Sequence, residues 1–281
     1  MKKMKIYPKV SSQDLGKEMK ERVRNSEGIE IQFFNENGIT SEFNFENEIR
    51  KKKAEFPNLK EIIVHPPLCD YNIELIIMKD ENIIRKQFKK LKELSEELDI
   101  DLDMVYHTYW PVRQYVSTGL DNKIKELLKI LEGTKVTLLI ENIYMMLDEK
   151  EECSAIDICK HLDHPNARCC LDTTHLHCKA NIYKTNFYEM IEIQIDKEAA
   201  KKYIKQIHFA AALNGDGYIN SKTHGRKHDS LESLREEYSW LVKLGLKDKN
   251  YITEIGEEDY YTRKDQLQEI EWLETVVKEN I

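Results

Sequence analysis

Eight short runs rich in β-branched and aromatic residues, separated by longer charged stretches with helical periodicity, predict a closed (β/α)8 barrel. Nothing reads as a linker: no Pro- or Ser-rich tract, low-complexity segment or repeat beyond the βα unit interrupts residues 1–281, so one domain is expected. Only ten glycines are present, and none forms the Gly-rich phosphate loop that would mark an open dinucleotide-binding sheet. Strands alternating with helices imply parallel pairing through right-handed crossovers. Spread over eight units, 281 residues leave about 35 for each, a normal size for a βα unit.

The expected strands are residues 5–10, 29–34, 61–65, 103–107, 137–142, 167–173, 204–210 and 251–255. Between them, Ser12 and Asp14 are candidate caps for a helix running to about Arg24. Residues 80–98 place Ile83, Ile84, Phe88, Leu91, Leu94 and Leu98 on one face of a charged helix. Residues 121–131 repeat the pattern with Ile124, Leu127, Leu128 and Leu131, and Gly133 stands where a C-terminal cap belongs. Helices are also expected over 151–162, 187–193, 230–244 (capped by Asp229 or Ser230) and 263–278.

Composition narrows the function. Lys and Arg number 43 against 51 Asp and Glu, a formal charge of −8 that argues against a general nucleic-acid binder. The longest apolar runs, such as 136–140, are too short to span a bilayer, so no membrane association is expected. Met1 is followed by two lysines but no apolar segment, so no secretory signal is expected. Six cysteines in 281 residues, two of them adjacent at 169 and 170, do not make a disulfide scaffold. A reducing, cytoplasmic compartment follows.

In a (β/α)8 barrel, chemistry sits at the C-terminal ends of the strands. Here the third strand ends in His65, the fourth in His107 and the fifth in Glu141. The sixth ends in Asp172 with His175 beyond it, the seventh in His208 and the eighth in Glu254. Singly, each reads as a packed histidine, a loop carboxylate or, for Asp172, a helix cap. Six in register would converge on one mouth, where buried charges must pair or hold a metal. Mixed imidazole and carboxylate ligands suit Zn²⁺, Mn²⁺, Fe²⁺ or Co²⁺. Cys69 and Cys170 lie near but read as packing residues.

The series His65, His107, Glu141, Asp172-x-x-His175, His208 and Glu254 resembles the xylose isomerase-like TIM-barrel superfamily, which holds sugar isomerases, epimerases and the endonuclease IV group. The resemblance implies one divalent cation, Zn²⁺ or Mn²⁺, held by Glu141, Asp172, His208 and Glu254. It further implies that the two glutamates act as acid and base and that His175 contacts the substrate. In the endonuclease IV group two or three zinc ions are bound, and the matching extra ligands are His65, His107, His175 and His224. The aspartate that precedes the last of these by two positions is Lys222 here, which departs from that pattern.

Two mechanisms follow. In the first, the protein is a sugar or sugar-phosphate isomerase/epimerase: a cation stabilises an enediolate while Glu141 and Glu254 move the proton. His175 and His208 would orient hydroxyls, Trp110, Tyr109 or Tyr144 would stack on the sugar, and Lys222, Arg226 or Lys227 would hold a phosphate. In the second, it is a multi-zinc phosphodiesterase of the endonuclease IV type, with His65 and His107 on a first ion that Glu141 bridges to a second. The acidic segment 35–48 (NENGITSEFNFENE) and Lys222 oppose nucleic acid as partner and favour a small sugar. The sugar branch often self-associates, so a homo-oligomer is compatible with the resemblance. A non-catalytic barrel would predict missing ligands, and none of the core four is missing.

Overall fold

The structure, a computed structural model, describes residues 5–12, 15–33, 44–67, 72–143, 154–211, 225–256 and 261–279. Its strands are β1 (Lys5–Ser11), β2 (Gly28–Gln32), β3 (Glu61–His65), β4 (Asp101–His107), β5 (Val136–Glu141), β6 (Ala167–Asp172), β7 (Ile204–Phe209) and β8 (Asn250–Thr253). All pair in parallel in chain order, and β8 returns to pair with β1, so the sheet closes into the expected (β/α)8 barrel. Each strand lies where the sequence predicts it, with ends moved by no more than two residues.

The helices are α1 (Lys17–Arg24), α2 (Glu46–Glu55), α3 (Ile73–Leu98), α4 (Val112–Thr118), α5 (Leu120–Leu128), α6 (Ser154–Leu162), α7 (Thr173–Ile182), α8 (Phe187–Gln194), α9 (Lys197–Tyr203), α10 (Leu231–Lys243) and α11 (Lys264–Glu279). Among the described residues none is long and apolar enough to cross a membrane. Helix α3 bends at Asp80, whose backbone is extended (φ −162°, ψ 103°). The Asp80 carboxylate accepts the Asn82 amide at 3.0 Å and restarts the helix at the position predicted from sequence.

Several local expectations are corrected. Ser12 does not cap α1: its amide donates to the Gln32 carbonyl, and the N-cap is Gly16, which makes no side-chain cap bond. Asp14 lies outside the described residues. Ser230, not Asp229, caps α10, in a reciprocal box with Ser233. Gly133 does hold the left-handed conformation (φ +72°) after the 129–131 turn that ends α5. Helices α2, α4, α7, α9 and the first part of α3 have no counterpart in the sequence reading. Helix α7 shows why, because seven of its ten residues are buried and no polar stripe marks it.

The two-residue period of each strand sends alternate side chains in and out of the barrel. Outward residues such as Ile62, Leu102, Leu138 and Leu171 join the main core with helix residues such as Phe88, Leu127, Leu241 and Leu273. Inward, Tyr7, Ile63, Val105, Leu139, Cys170 and Ile252 form a separate apolar layer. Truncating such a residue to alanine is expected to cost roughly 2–5 kcal/mol. Below that layer Glu61, Asp103 and Lys205 close the barrel's N-terminal end, with Lys205 Nζ 3.2 Å from Glu61 and 2.6 Å from Asp103. Above it lies the mouth.

Candidate metal centre at the barrel mouth

Register pairs some of the predicted residues directly and offsets others by two residues, following the stagger of a closed barrel. Glu141 stands opposite His107 on β4, and Asp172 stands opposite His208 on β7. Glu254 follows β8 directly and lies level with Lys9 of β1. The apolar layer beneath forces the polar ends upward, because the strand period allows no other face. Glu141, Asp172, His208 and His65 are at most 1% exposed, and His175 and Glu254 are buried as well.

One ligand atom each from Glu141, Asp172, His208 and Glu254 all fall within 4.8 Å of one another, and so do one each from His65, His107 and Glu141. His208 Nδ1 is 3.1 Å from Glu141 Oε1, 2.5 Å from Glu254 Oε2 and 3.9 Å from Asp172 Oδ2. His175 Nε2 lies 3.6 Å from Asp172 Oδ2 and 3.8 Å from Glu141 Oε1. Asp172 does act as a helix cap, since its Oδ1 accepts the His175 amide at 2.8 Å, but its buried Oδ2 has no hydrogen bond.

The donor set fits a cation for a specific reason. His65 Nδ1 lies 3.0 Å from the Pro66 carbonyl, which requires the proton on Nδ1 and leaves an Nε2 lone pair. That lone pair points at Glu141 Oε2, 3.5 Å away, and His107 Nε2 lies 3.4 Å from the same oxygen. A lone pair facing a carboxylate in a buried site is repulsive until a positive centre, either a proton or a metal ion, stands between them. His208 is held in the same manner, with Nε2 2.8 Å from Glu30 Oε2 and Nδ1 turned to the cluster.

The electrostatics say the same. Burial, with Glu254 and Glu141 beside it, pushes the Asp172 carboxyl well above its ordinary range. Burial also works against ionisation of Glu141, yet His208 and His107 hold it well below the usual carboxylate value. Burial opposes protonation of His208 too, and the surrounding carboxylates outweigh it and raise the imidazole well above 6.5. Negative charge is in excess here, and the polar atoms converge.

Of the other predicted residues, Trp110 is half-buried, its ring edge-on to Tyr115 with centroids 6.4 Å apart. Arg226 is exposed, and its backbone pairs with Ala211 just after β7. Lys222, His224, Tyr144 and Cys69 lie outside the described residues, as does most of the acidic 35–48 segment. His228 is buried, with Nδ1 bonded to Glu269 and Nε2 3.1 Å from Glu237, both on outer helices, so it faces away from the mouth.

Sequence reasoning missed the residues that hold the ligands in place. The Asn142 side chain bonds both the carbonyl and the amide of Asp172 (3.0 and 2.8 Å), locking β6 to β5. Thr173 Oγ1, at the β6–α7 junction, does the same with the backbone of Ala210 just after β7. Lys9 and Glu30, both buried, were likewise not singled out as site residues. Their signal was present: each clamp directly follows a predicted ligand, and Lys9 and Glu30 fall on inward positions of their strands.

A closed parallel barrel with a buried carboxylate–imidazole cluster at its C-terminal mouth defines a structural class. Within that class the chain belongs to the family described as xylose isomerase-like TIM barrel, whose profile matches residues 26–275. Among solved structures, a D-tagatose 3-epimerase-like protein aligns with a TM-score of 0.61 and 21% identity, covering 98% of this chain and 99% of its own. A xylose isomerase domain protein from Planctomyces limnophilus gives 0.64 and 12%, covering 99% and 98%. The IOLI protein with a bound zinc atom gives 0.63 and 15%, covering 98% and 99%. A comparison with curated proteins finds no match.

Proposed function

We propose that the protein is a divalent-metal-dependent enzyme that isomerises or epimerises a small sugar or sugar phosphate. The observation that carries this reading is the pair Glu141 and Glu254, both converging on His208 Nδ1 (3.1 and 2.5 Å) beside the unsatisfied Asp172 Oδ2. These four residues would hold a Zn²⁺ or Mn²⁺ ion. Such an ion would supply Lewis acidity that stabilises the negative charge developing beside the substrate carbonyl. Glu141 and Glu254 come from strands three apart around the barrel, so one takes a proton from the carbon beside the carbonyl and the other returns it. His175 orients a hydroxyl, Trp110 borders the substrate, and Arg226 and Lys222 bind phosphate where there is one. The likeness to a D-tagatose 3-epimerase-like protein supports the substrate class. The four described cysteines, all buried and unbridged, suit a reducing cytoplasmic setting, with residues 1–281 acting as one domain.

Metal analysis after purification without added metal, followed by ketose turnover with Mn²⁺, Co²⁺ and Zn²⁺, tests the reading. About one ion per chain and metal-dependent epimerisation are expected. No turnover of any ketose or ketose phosphate with the metal-loaded protein would sink it.

One observation favours a second reading, a multi-zinc phosphodiesterase of the endonuclease IV type. His65 and His107 approach the outer oxygen of Glu141 at 3.5 and 3.4 Å, a three-ligand set that an isomerase with one ion does not need. On that reading His107→Ala loses one zinc ion per chain and the wild type cleaves an abasic-site duplex. On the isomerase reading His107→Ala keeps the wild-type metal count.

A further inference from the structure

A deeper ligand set overlaps the centre. One ligand atom each of Glu30, His65, His208 and Glu254 lie within 4.8 Å of one another, and all four residues are buried. Beside them stands Lys9 of β1, opposite Glu30 in the β1–β2 register and 3% exposed. Its Nζ is 2.8 Å from Glu30 Oε1 and 2.7 Å from Glu254 Oε1. Two carboxylates bracketing one ammonium at these distances form a tight ionic bridge, and removing its positive member would leave two buried anions with only the His208 imidazole between them.

The shared residues are split between the two sets. Glu254 turns Oε1 to Lys9 and Oε2 to His208 Nδ1. His208 directs Nε2 to Glu30 Oε2 at 2.8 Å, where the Gln206 amide also donates at 2.7 Å, and directs Nδ1 to Glu141 and Glu254. An ammonium offers donors only and has no lone pair with which to join a metal, so it and a metal ion exclude one another from the space between Glu30 and Glu254.

We propose that the Lys9 ammonium is the resident cation of this deeper set, standing where a further metal ion would otherwise bind between Glu30 and Glu254. The mouth then loads metal only on the Nδ1 side of His208. Lys9 is a positioning residue, acting through Glu254 and, by way of Glu30, through the ring orientation of His208. The inference rests on the metal-centre reading above.

The test counts zinc per chain on the full-length protein after loading with excess Zn²⁺ and gel filtration, with Co²⁺ absorption spectra as a second readout. Lys9→Met and Lys9→Ser are expected to bind one ion more than the wild type, with an added Co²⁺ band, whereas Lys9→Arg keeps the wild-type count. Equal counts in all four proteins overturn the proposal. If Lys9→Met and Lys9→Ser fold only in Zn²⁺, the ion has replaced the ammonium and the proposal holds. If they stay unfolded in millimolar Zn²⁺, it falls. A wild type that binds no zinc defeats the metal-centre reading instead. The count in Lys9→Ser then still decides whether the deeper set is a latent site.

Discussion

Glu254 serves two neighbours with one carboxylate, Lys9 through Oε1 and His208 through Oε2. A glutamine there keeps the shape but replaces one acceptor with a donor facing either an ammonium or an imidazole. Glu254→Gln should therefore lower turnover by about 10³-fold, the size of a lost general base, and lower the metal content as well. Steady-state kinetics beside metal analysis checks it, and full activity would remove Glu254 from the site. Gly225 tests the same residue from behind. It sits at φ +63°, and a Cβ there would come within 1.8 Å of the Glu254 carbonyl oxygen. Its own carbonyl accepts the Gly256 amide at 2.7 Å, so the chain on both sides of Glu254 is fixed. Gly225→Ala should shift Glu254 and reduce kcat by about 10²-fold, the cost of a misplacement near 1 Å, while the far-UV circular dichroism is unchanged.

The proposed ligands at the strand ends are held close together because side chains staple neighbouring elements together. Asn142 fastens β6 to β5, Thr173 fastens it to β7, and the Gln266 amide donates to the Thr253 carbonyl of β8 at 2.7 Å. The turn from β6 into α7 is tighter still, because the ligand Asp172 is itself the helix cap. The two roles of Asp172 separate by substitution. Asp172→Asn keeps an oxygen for the His175 amide, whereas Asp172→Ala leaves that amide uncapped. In metal-free protein, denaturant unfolding should find the alanine variant about 1 kcal/mol less stable than the asparagine variant. Both should bind metal more weakly, since neither supplies an anionic oxygen where Oδ2 stands.

At the scale of the whole molecule, two stabilising terms depend on solution conditions. The first is a buried His228 bridging Glu237 and Glu269, with His177 2.7 Å from the same Glu237. Burial works against the imidazolium, but hydrogen bonds and charge from Glu237 and Glu269 raise it to about 10. Burial likewise opposes the Glu237 carboxylate, and His177 and His228 lower it to about 2. A raised basic group stabilises fully below its unfolded value of about 6.5 and loses that effect as pH climbs toward about 10. A lowered acid stabilises fully above about 4.5 and loses the effect as pH falls toward about 2. The stability gap between wild type and His228→Gln should therefore be widest between about pH 4.5 and 6.5, at ~3 kcal/mol, and should narrow above that range. Urea unfolding at a series of pH values measures it, and a gap that grows with pH would contradict the ion-pair account. The second term, on the proposed function, is a bound metal ion. Ligands that repel one another without a cation bind it at folding's gain, about 2.7 kcal/mol when the free ion is at 100 times its Kd. Chelation with EDTA should accordingly lower the melting temperature, and Zn²⁺ or Mn²⁺ should restore it.

The alternation of eight apolar runs with charged helical stretches was enough to determine the barrel and its strand order, because period-2 and period-3.6 patterns are local properties of the chain. The same logic marked His65, His107, Glu141, Asp172, His208 and Glu254, since each is a polar residue ending an apolar run. Helix α7 was illegible because burial on nearly every side erases its stripe. Lys9 was passed over, and Glu30 was given no place in the site, because a lysine and a glutamate in a strand ordinarily face water. Only closure of the sheet turned them inward and brought β1, β2 and β8 together around one ammonium. The orientation of the His208 imidazole was likewise decided by a tertiary contact, with Glu30, whereas that of His65 is set by the adjoining Pro66 carbonyl. Residue type and period are written along the chain, but which lone pair meets which carboxylate depends on distances that exist only after eight strands have closed.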